Sequence, residues 1–183
     1  MSFIVRAVAA FALLGTLGAC ASGASSEAMT PAGVVSVQAS NAFASNVYVA
    51  PVEGGQSTNP LWTSEISGQD FGTALQSALA DAGMYAPDGD YSLEARLVSV
   101  EQPMIGIALT VTTTVEYNLR DANGSIVFSE TIATPYTAQF SEAFMAVTRL
   151  KLANEGSAEQ NISEILSRLR QAGQRIGSVV QTS

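Results

Sequence analysis

Residues 111–136 read VTTTVEYNLRDANGSIVFSETIATPY, and this stretch decides the fold. Two runs of alternating residues flank Asn123-Gly124, the dipeptide favoured in two-residue type I′ hairpin turns. Counting outward from that turn pairs Leu119 with Phe128, Tyr117 with Glu130, Val115 with Ile132, Thr113 with Thr134 and Val111 with Tyr136. These residues share one mostly apolar face. The other face carries Arg120 with Val127, Asn118 with Ser129, Glu116 with Thr131 and Thr114 with Ala133, and is expected to be wet. Glu130 is the misfit of the apolar face, because an unpaired buried carboxylate costs several kcal/mol or takes up a proton. It needs a cation or a strand end open to solvent, and the nearest cations lie in the C-terminal region.

Upstream of the hairpin, Tyr91-Ser92-Leu93-Glu94-Ala95-Arg96-Leu97 alternates cleanly and reads as a strand that runs to Glu101 and stops at Pro103. Asp88-Gly89-Asp90 leads into it as a turn; the alternative is a carboxylate pair for a metal or for acid–base chemistry. From Ser64 to Ala82 the positions Ile66, Phe71, Ala74, Leu75, Ala78, Leu79 and Ala82 recur at helical spacing, with Gly83 placed for a C-cap. That helix starts near Ser67 if Gly68 is its first residue, and Thr63 or Ser64 would also serve as N-cap. Residues 47–52 form the first strand, with Pro51 marking an edge or an early end, and residues 53–57 break it. Residues 34–37 read either as a short strand or as an ordered part of a tether.

Downstream, Ser141-Glu142 opens a helical region that continues through Phe144, Val147, Ile162, Ile165 and Leu169. Following the Phe144 face at 3.6 residues per turn brings Lys151 and Glu155 inward. Either Gly156 breaks the helix and Lys151–Glu155 is a surface pair at i, i+4, or Arg149, Lys151, Asn154 and Glu155 line a buried polar patch. Past residue 172 the tail is expected to fray. These elements together predict an α+β fold in two layers: a mainly antiparallel sheet of about four strands, with a crossover helix and C-terminal helices on one face.

The amino terminus sets the address. Arg6 is the only charge before an apolar stretch from Ala7 to Leu17, which is too short to span a bilayer. Leu17-Gly18-Ala19-Cys20 then resembles the lipobox of bacterial lipoproteins, which implies cleavage between Ala19 and Cys20 and acylation of Cys20. An unmodified cysteine is the alternative; an internal disulfide is excluded because Cys20 is the sole cysteine. One acyl chain gives only marginal, reversible attachment, whereas several on one residue make release negligible. The absence of aspartate at Ala21 and Ser22 resembles an outer-membrane destination. Residues 1–19 are thus read as signal, 20–46 as lipidated cysteine and flexible tether, 47–172 as one globular domain and 173–183 as frayed tail.

Composition narrows the chemistry. Without the signal, 7 basic residues face 16 acidic ones for a net charge of −9, which argues against nucleic acid as a partner. Nine acidic residues between Glu27 and Glu101 are opposed only by Arg96, while five basic residues lie between Arg149 and Arg175. Histidine is absent, which removes the commonest general base and the commonest metal ligand. No phosphate-binding glycine loop occurs, and no cofactor or metal is expected.

The lipobox, the helix ending in ALADAGM, the strand YSLEARLVSV, the hairpin TVTTTVEYNLRDANG and the segment RLKLANEGSAEQNI together resemble small envelope lipoproteins of alphaproteobacteria related to the YajG-type lipoproteins. The resemblance covers nearly all of the mature chain and implies an envelope address without an activity. Arg149, Asn154, Glu155, Gly156, Asn161 and Ile162 match the family-like segment, which marks a shared structural or binding patch. An acyltransferase of the left-handed β-helix kind needs repeated hexapeptides, and none occur. The expectation is a non-catalytic interaction or assembly module at the outer membrane, facing the periplasm, with another envelope protein as partner. A carrier of a lipid or small apolar ligand is the alternative, and a carboxylate-dependent enzyme using Glu130 and Arg149 is a further one. The candidate patch comprises Glu130, Arg149, Lys151, Asn154, Glu155 and Asn161.

Overall fold

The computed structural model describes residues 22–57, 64–103 and 106–181, with side chains through residue 178. Cys20 and the signal lie outside the described residues. The elements run α1 (Ser26–Met29), β1 (Val47–Val49), β2 (Glu53–Gly54), α2 (Gly68–Asp81), β3 (Tyr91–Glu101), β4 (Leu109–Arg120), β5 (Ile126–Ala138) and α3 (Ala146–Gln181). The sheet order is β1-β3-β4-β5, with β2 also pairing β3. β1 and β2 lie parallel to β3, as the crossover through α2 requires, and β3, β4 and β5 form an antiparallel meander. This is the expected two-layer α+β architecture, with both long helices on one face of the sheet.

The hairpin register holds as counted, from Leu119 opposite Phe128 to Val111 opposite Tyr136. The turn differs. Asn123 keeps a negative φ, Gly124 takes φ +80°, and the Gly124 amide donates to the Asp121 carbonyl at 2.9 Å. The loop is therefore one residue longer than a type I′ turn, Arg120 pairs with Ile126 instead of Val127, and a bulge at that point restores the register. Asp121 makes the turn rigid: its Oδ1 accepts from the Asn123 and Ser125 amides at 2.9 Å each. The Ser125 bond leads in holding this carboxyl below its usual range.

α2 begins where Ser67 caps it, with Ser67 Oγ accepting from the Asp70 amide at 3.0 Å. It ends in paired bonds from the Met84 amide to the Leu79 carbonyl and from the Gly83 amide to the Ala80 carbonyl, with Gly83 at φ +68°. Its buried side chains, Phe71, Ala74, Leu75, Ala78 and Leu79, are those the spacing selected. Residues 53–57 do not simply break the first strand: Glu53 and Gly54 resume pairing with Arg96 and Leu97. Residues 34–37 form no strand and instead lie against the end of α2, where the Val37 amide donates to the Ala82 carbonyl.

Three further expectations are corrected. The stretch read as tether, 20–46, is packed over its described part: Ala24, Met29 and Phe43 are buried in the core, and Asn41 Nδ2 reaches the Arg170 carbonyl. Its polar composition suggested solvation, but Ser22, Ser25, Ser36 and Asn41 are hydrogen-bonded to the rest of the fold. Residues 173–181 of the stretch read as a frayed tail belong to α3, where Gly173 and Gly177 let residues 40–43 approach the helix closely. Finally, α3 runs unbroken through Gly156 and starts at Ala146, so Ser141-Glu142 is not its N-cap. Gly156 serves as a contact: a Cβ there would sit 2.6 Å from the Tyr136 ring.

Gly156→Val is expected to cost about 2–3 kcal/mol in urea denaturation through overpacking against Tyr136. Adding Tyr136→Ala should recover part of that loss; an equal loss in the single and double variants would contradict the contact.

Candidate functional site

α3 is buried continuously from Ala153 to Ala158. A helix enclosed all round has a neighbour on each side: here β4 and β5 lie on one, and residues 22–29 with Ser64, ahead of α2, on the other. The polar residues in this span therefore meet partners from elements far away in sequence. Asn154 Nδ2 donates to the Ser64 carbonyl at 2.7 Å, and its Oδ1 accepts from Gln102 Nε2 at 3.1 Å. Glu155 Oε1 accepts from the Ser25 amide at 2.9 Å and from Ser25 Oγ at 3.2 Å. Lys151 lies 3.7 Å from Glu155 and donates to Ser22 Oγ at 3.0 Å. Ser64 Oγ closes the group by donating to the Ser22 carbonyl at 3.0 Å. Of the two sequence readings, the break at Gly156 fails and the buried patch holds only for Asn154 and Glu155: Lys151 is partly exposed and pairs with Glu155 at i, i+4, Arg149 lies elsewhere, and the group works as a clamp on residues 22–25.

Asn161, about two turns beyond Asn154, serves the sheet side. Its Nδ2 donates to the Ile132 carbonyl at 2.9 Å and the Thr113 carbonyl at 3.1 Å, while its Oδ1 accepts from Tyr117 Oη at 2.8 Å. Thr113 Oγ1 and Ser157 Oγ, 2.7 Å apart, extend the same network. Burial pushes the Tyr117 phenol well above its ordinary range, so it stays a neutral donor to Asn161.

Glu130 and Arg149 do not meet. Glu130 Oε2 pairs with Arg168 Nη1 at 2.7 Å, and Arg168 Nε also holds Glu164 at 2.8 Å. The Glu164 and Glu130 contacts, in that order, raise the Arg168 pKa. The cation that Glu130 needed does come from the C-terminal helix, at the half-exposed edge of β5. Arg149 is buried, with Nη1 donating to the Ala143 and Phe144 carbonyls at 2.7 and 2.8 Å and its guanidinium 5.1 Å from the Phe140 ring centroid. The six candidate residues thus fall into four places: the clamp, the Asn161 network, the Glu130–Arg168 pair and the Arg149 contacts.

Residues that sequence reasoning did not select complete these groups: Ser22, Ser25, Ser64 and Gln102 in the clamp, Tyr117 and Thr113 around Asn161, and Arg168 beside Glu130. Only Arg168 carried a local signal, its i, i+4 spacing from Glu164. The uncovered face of the sheet holds Glu94 paired with Arg120 at 2.9 Å and Arg96 with Glu116. A surface groove of about 440 Å³ runs there between the residue 50–53 edge and Glu94, Arg96, Glu116 and Asn118. The Arg96 bond leads in lowering the Glu116 carboxyl, followed by the bond from Asn118.

No family model and no curated protein matches this chain. Solved structures share its fold. A Xanthomonas campestris protein of the DUF330 family superposes with a TM-score of 0.58 at 15% identity, covering 79% of this chain and 95% of its own. A Caulobacter crescentus protein described as a lipoprotein gives 0.52 at 16% identity, covering 73% and 94%. A Chlamydia trachomatis protein, CT253, gives 0.50 at 10% identity, covering 69% and 95%. The likeness extends over nearly the whole length of each of these chains, and it is a likeness of fold.

Asn161→Ala is expected to lower stability by about 3 kcal/mol, since it orphans two strand carbonyls and the Tyr117 hydroxyl at roughly 1–3 kcal/mol each. Tyr117→Phe should cost about 1–2 kcal/mol. Because the folded phenol binds its proton more tightly than the unfolded one, its contribution is complete below the unfolded pKa near 10 and is lost above it. Wild type should therefore lose stability above about pH 10 with a slope approaching 1.4 kcal/mol per pH unit beyond that of Tyr117→Phe. Parallel pH curves for the two proteins would contradict this assignment.

Proposed function

We propose that this chain is a bacterial envelope lipoprotein, held through Cys20 at the outer membrane and facing the periplasm, that acts as a non-catalytic interaction or assembly module. The observation that carries the reading is the use made of the candidate residues. Glu130, Arg149, Lys151, Asn154, Glu155 and Asn161 all hold partners within the chain, and those partners bind elements together. The enzyme alternative relied on Glu130 and Arg149 acting together, which their separate partners do not support. The carrier alternative needs an apolar space between sheet and helices, where Phe43, Ile66, Phe71, Leu75, Leu79, Leu93, Tyr117, Ile162 and Ile165 are fully buried and packed together.

The lipobox-like sequence around Cys20 supports the membrane attachment, and the description of the Caulobacter crescentus structure as a lipoprotein is consistent with it. The envelope partner is assigned to the uncovered sheet face, where the Glu94, Arg96, Glu116 and Arg120 charges stand in two rows beside the groove. That face is polar enough to stay soluble alone and charged enough to select a complementary surface.

Globomycin treatment should arrest the chain as an unprocessed precursor, and radiolabelled palmitate should enter wild type but not Cys20→Ser. Unchanged processing and no label in wild type would contradict the attachment. A photo-crosslinker at Asn118 in intact cells should give one discrete adduct to an envelope protein, with none from the same group at Gln171. No adduct at Asn118, or equal adducts at both positions, would contradict the docking face.

A further inference from the structure

The chain leading back to Cys20 has a direction. Residues 41, 25 and 22 contact α3 at Arg170, Glu155 and Lys151 in turn, so the segment tracks the helix toward its start as it approaches the amino terminus. Two peptide units separate Ser22 from Cys20, a reach of about 7 Å. Ser22, two residues after Cys20 in the sequence, is thus held beside the first turns of α3.

The same end of the domain carries a cluster of exposed large apolar side chains. Phe144 is 81% and Met145 59% exposed just before α3, and Phe140 is 45% exposed just after β5. Ile107, 79% exposed, lies just before β4, whose Leu109 pairs with Ala138 of β5 and so sets Ile107 beside the Phe140 strand end. Phe140 and Phe144 meet edge to face at 5.2 Å, and Arg149 fixes the connection by holding the Ala143 and Phe144 carbonyls. These rings are therefore presented outward on a braced loop. The opposite end, with the close of α2 and the hairpin turn, carries charges of both signs, Asp81, Asp88, Asp90 and Asp121 beside Arg120 and Arg170.

We infer that Ile107, Phe140, Phe144 and Met145 form a membrane-docking end that inserts into the leaflet holding Cys20, which fixes the domain upright on the lipid with the hairpin turn outward. This rests on the acylation of Cys20 proposed above. A short, pinned link brings the apolar end to the lipid at high effective concentration, so shallow insertion needs little intrinsic affinity. Exposed aromatic and aliphatic side chains suit the boundary between headgroups and acyl chains.

The test uses the full acylated chain, purified from membranes and placed in vesicles of phosphatidylethanolamine and phosphatidylglycerol. Because the Cys20 thiol is occupied by lipid, a cysteine introduced by Phe144→Cys is the one free thiol for a nitroxide, and Val127→Cys near the hairpin turn is the control. Collisions of the label with oxygen, which concentrates in lipid, and with a water-soluble nickel chelate then report its depth. At 144 oxygen access should exceed nickel access, and at 127 the order should reverse. Ile107→Cys should match 144, and adding Phe144→Ser and Met145→Ser should return its label toward the aqueous ratio. Equal, water-like ratios at 144 and 127 would overturn the docking. So would loss of both kinds of collision at 144, which marks burial against protein. Mass spectrometry of the same preparation reports Cys20 acylation separately, so a water-like ratio on an acylated chain rejects the docking alone.

Discussion

The fold depends on α3 being gripped from both sides at once. Between Ala153 and Ala158 the helix has the sheet on one flank and residues 22–29 on the other, and Asn154 and Glu155 supply the polar grip. Removing either side would expose a carboxylate and an amide chosen for enclosure. Buried polar groups of this kind specify one arrangement because any alternative leaves them unpaired. The consequence is that the segment after the candidate lipid site is part of the globule.

That constraint explains features that otherwise look unrelated. Gly156 leaves room for the Tyr136 ring on the sheet side, and Gly173 and Gly177 leave room for residues 40–43 on the other. Asn161 ties the helix to both strands of the hairpin, with Tyr117 kept neutral beneath it. Arg149 secures the connection into α3, and Arg168 neutralises Glu130 at the sheet edge. Charged and amide side chains that a sequence reader associates with chemistry are here used to join layers.

Most of the sheet was legible because its signals are local. Alternation in β3, β4 and β5 and the Asn123-Gly124 position gave the register, and helical spacing with Ser67 and Gly83 bounded α2. The detail of the turn was not legible, since Gly124 serves a bulged loop as well as it serves a type I′ turn. The role of residues 22–46 was hidden for a different reason. Small polar residues look the same whether they are hydrated or bonded to a helix 130 positions away, as Ser25 is to Glu155. Gly156 misled in the same way, because a glycine that ends a helix and one that admits an aromatic ring share one letter.

The clamp is tested most directly by the exchange of the Ser25 backbone amide with deuterated solvent, followed residue by residue in the folded protein. The account predicts slow exchange in wild type, protected by Glu155, and a large acceleration in Glu155→Ala while amides in β4 stay protected. Free exchange of Ser25 in wild type, at the rate of an unstructured chain, would contradict it.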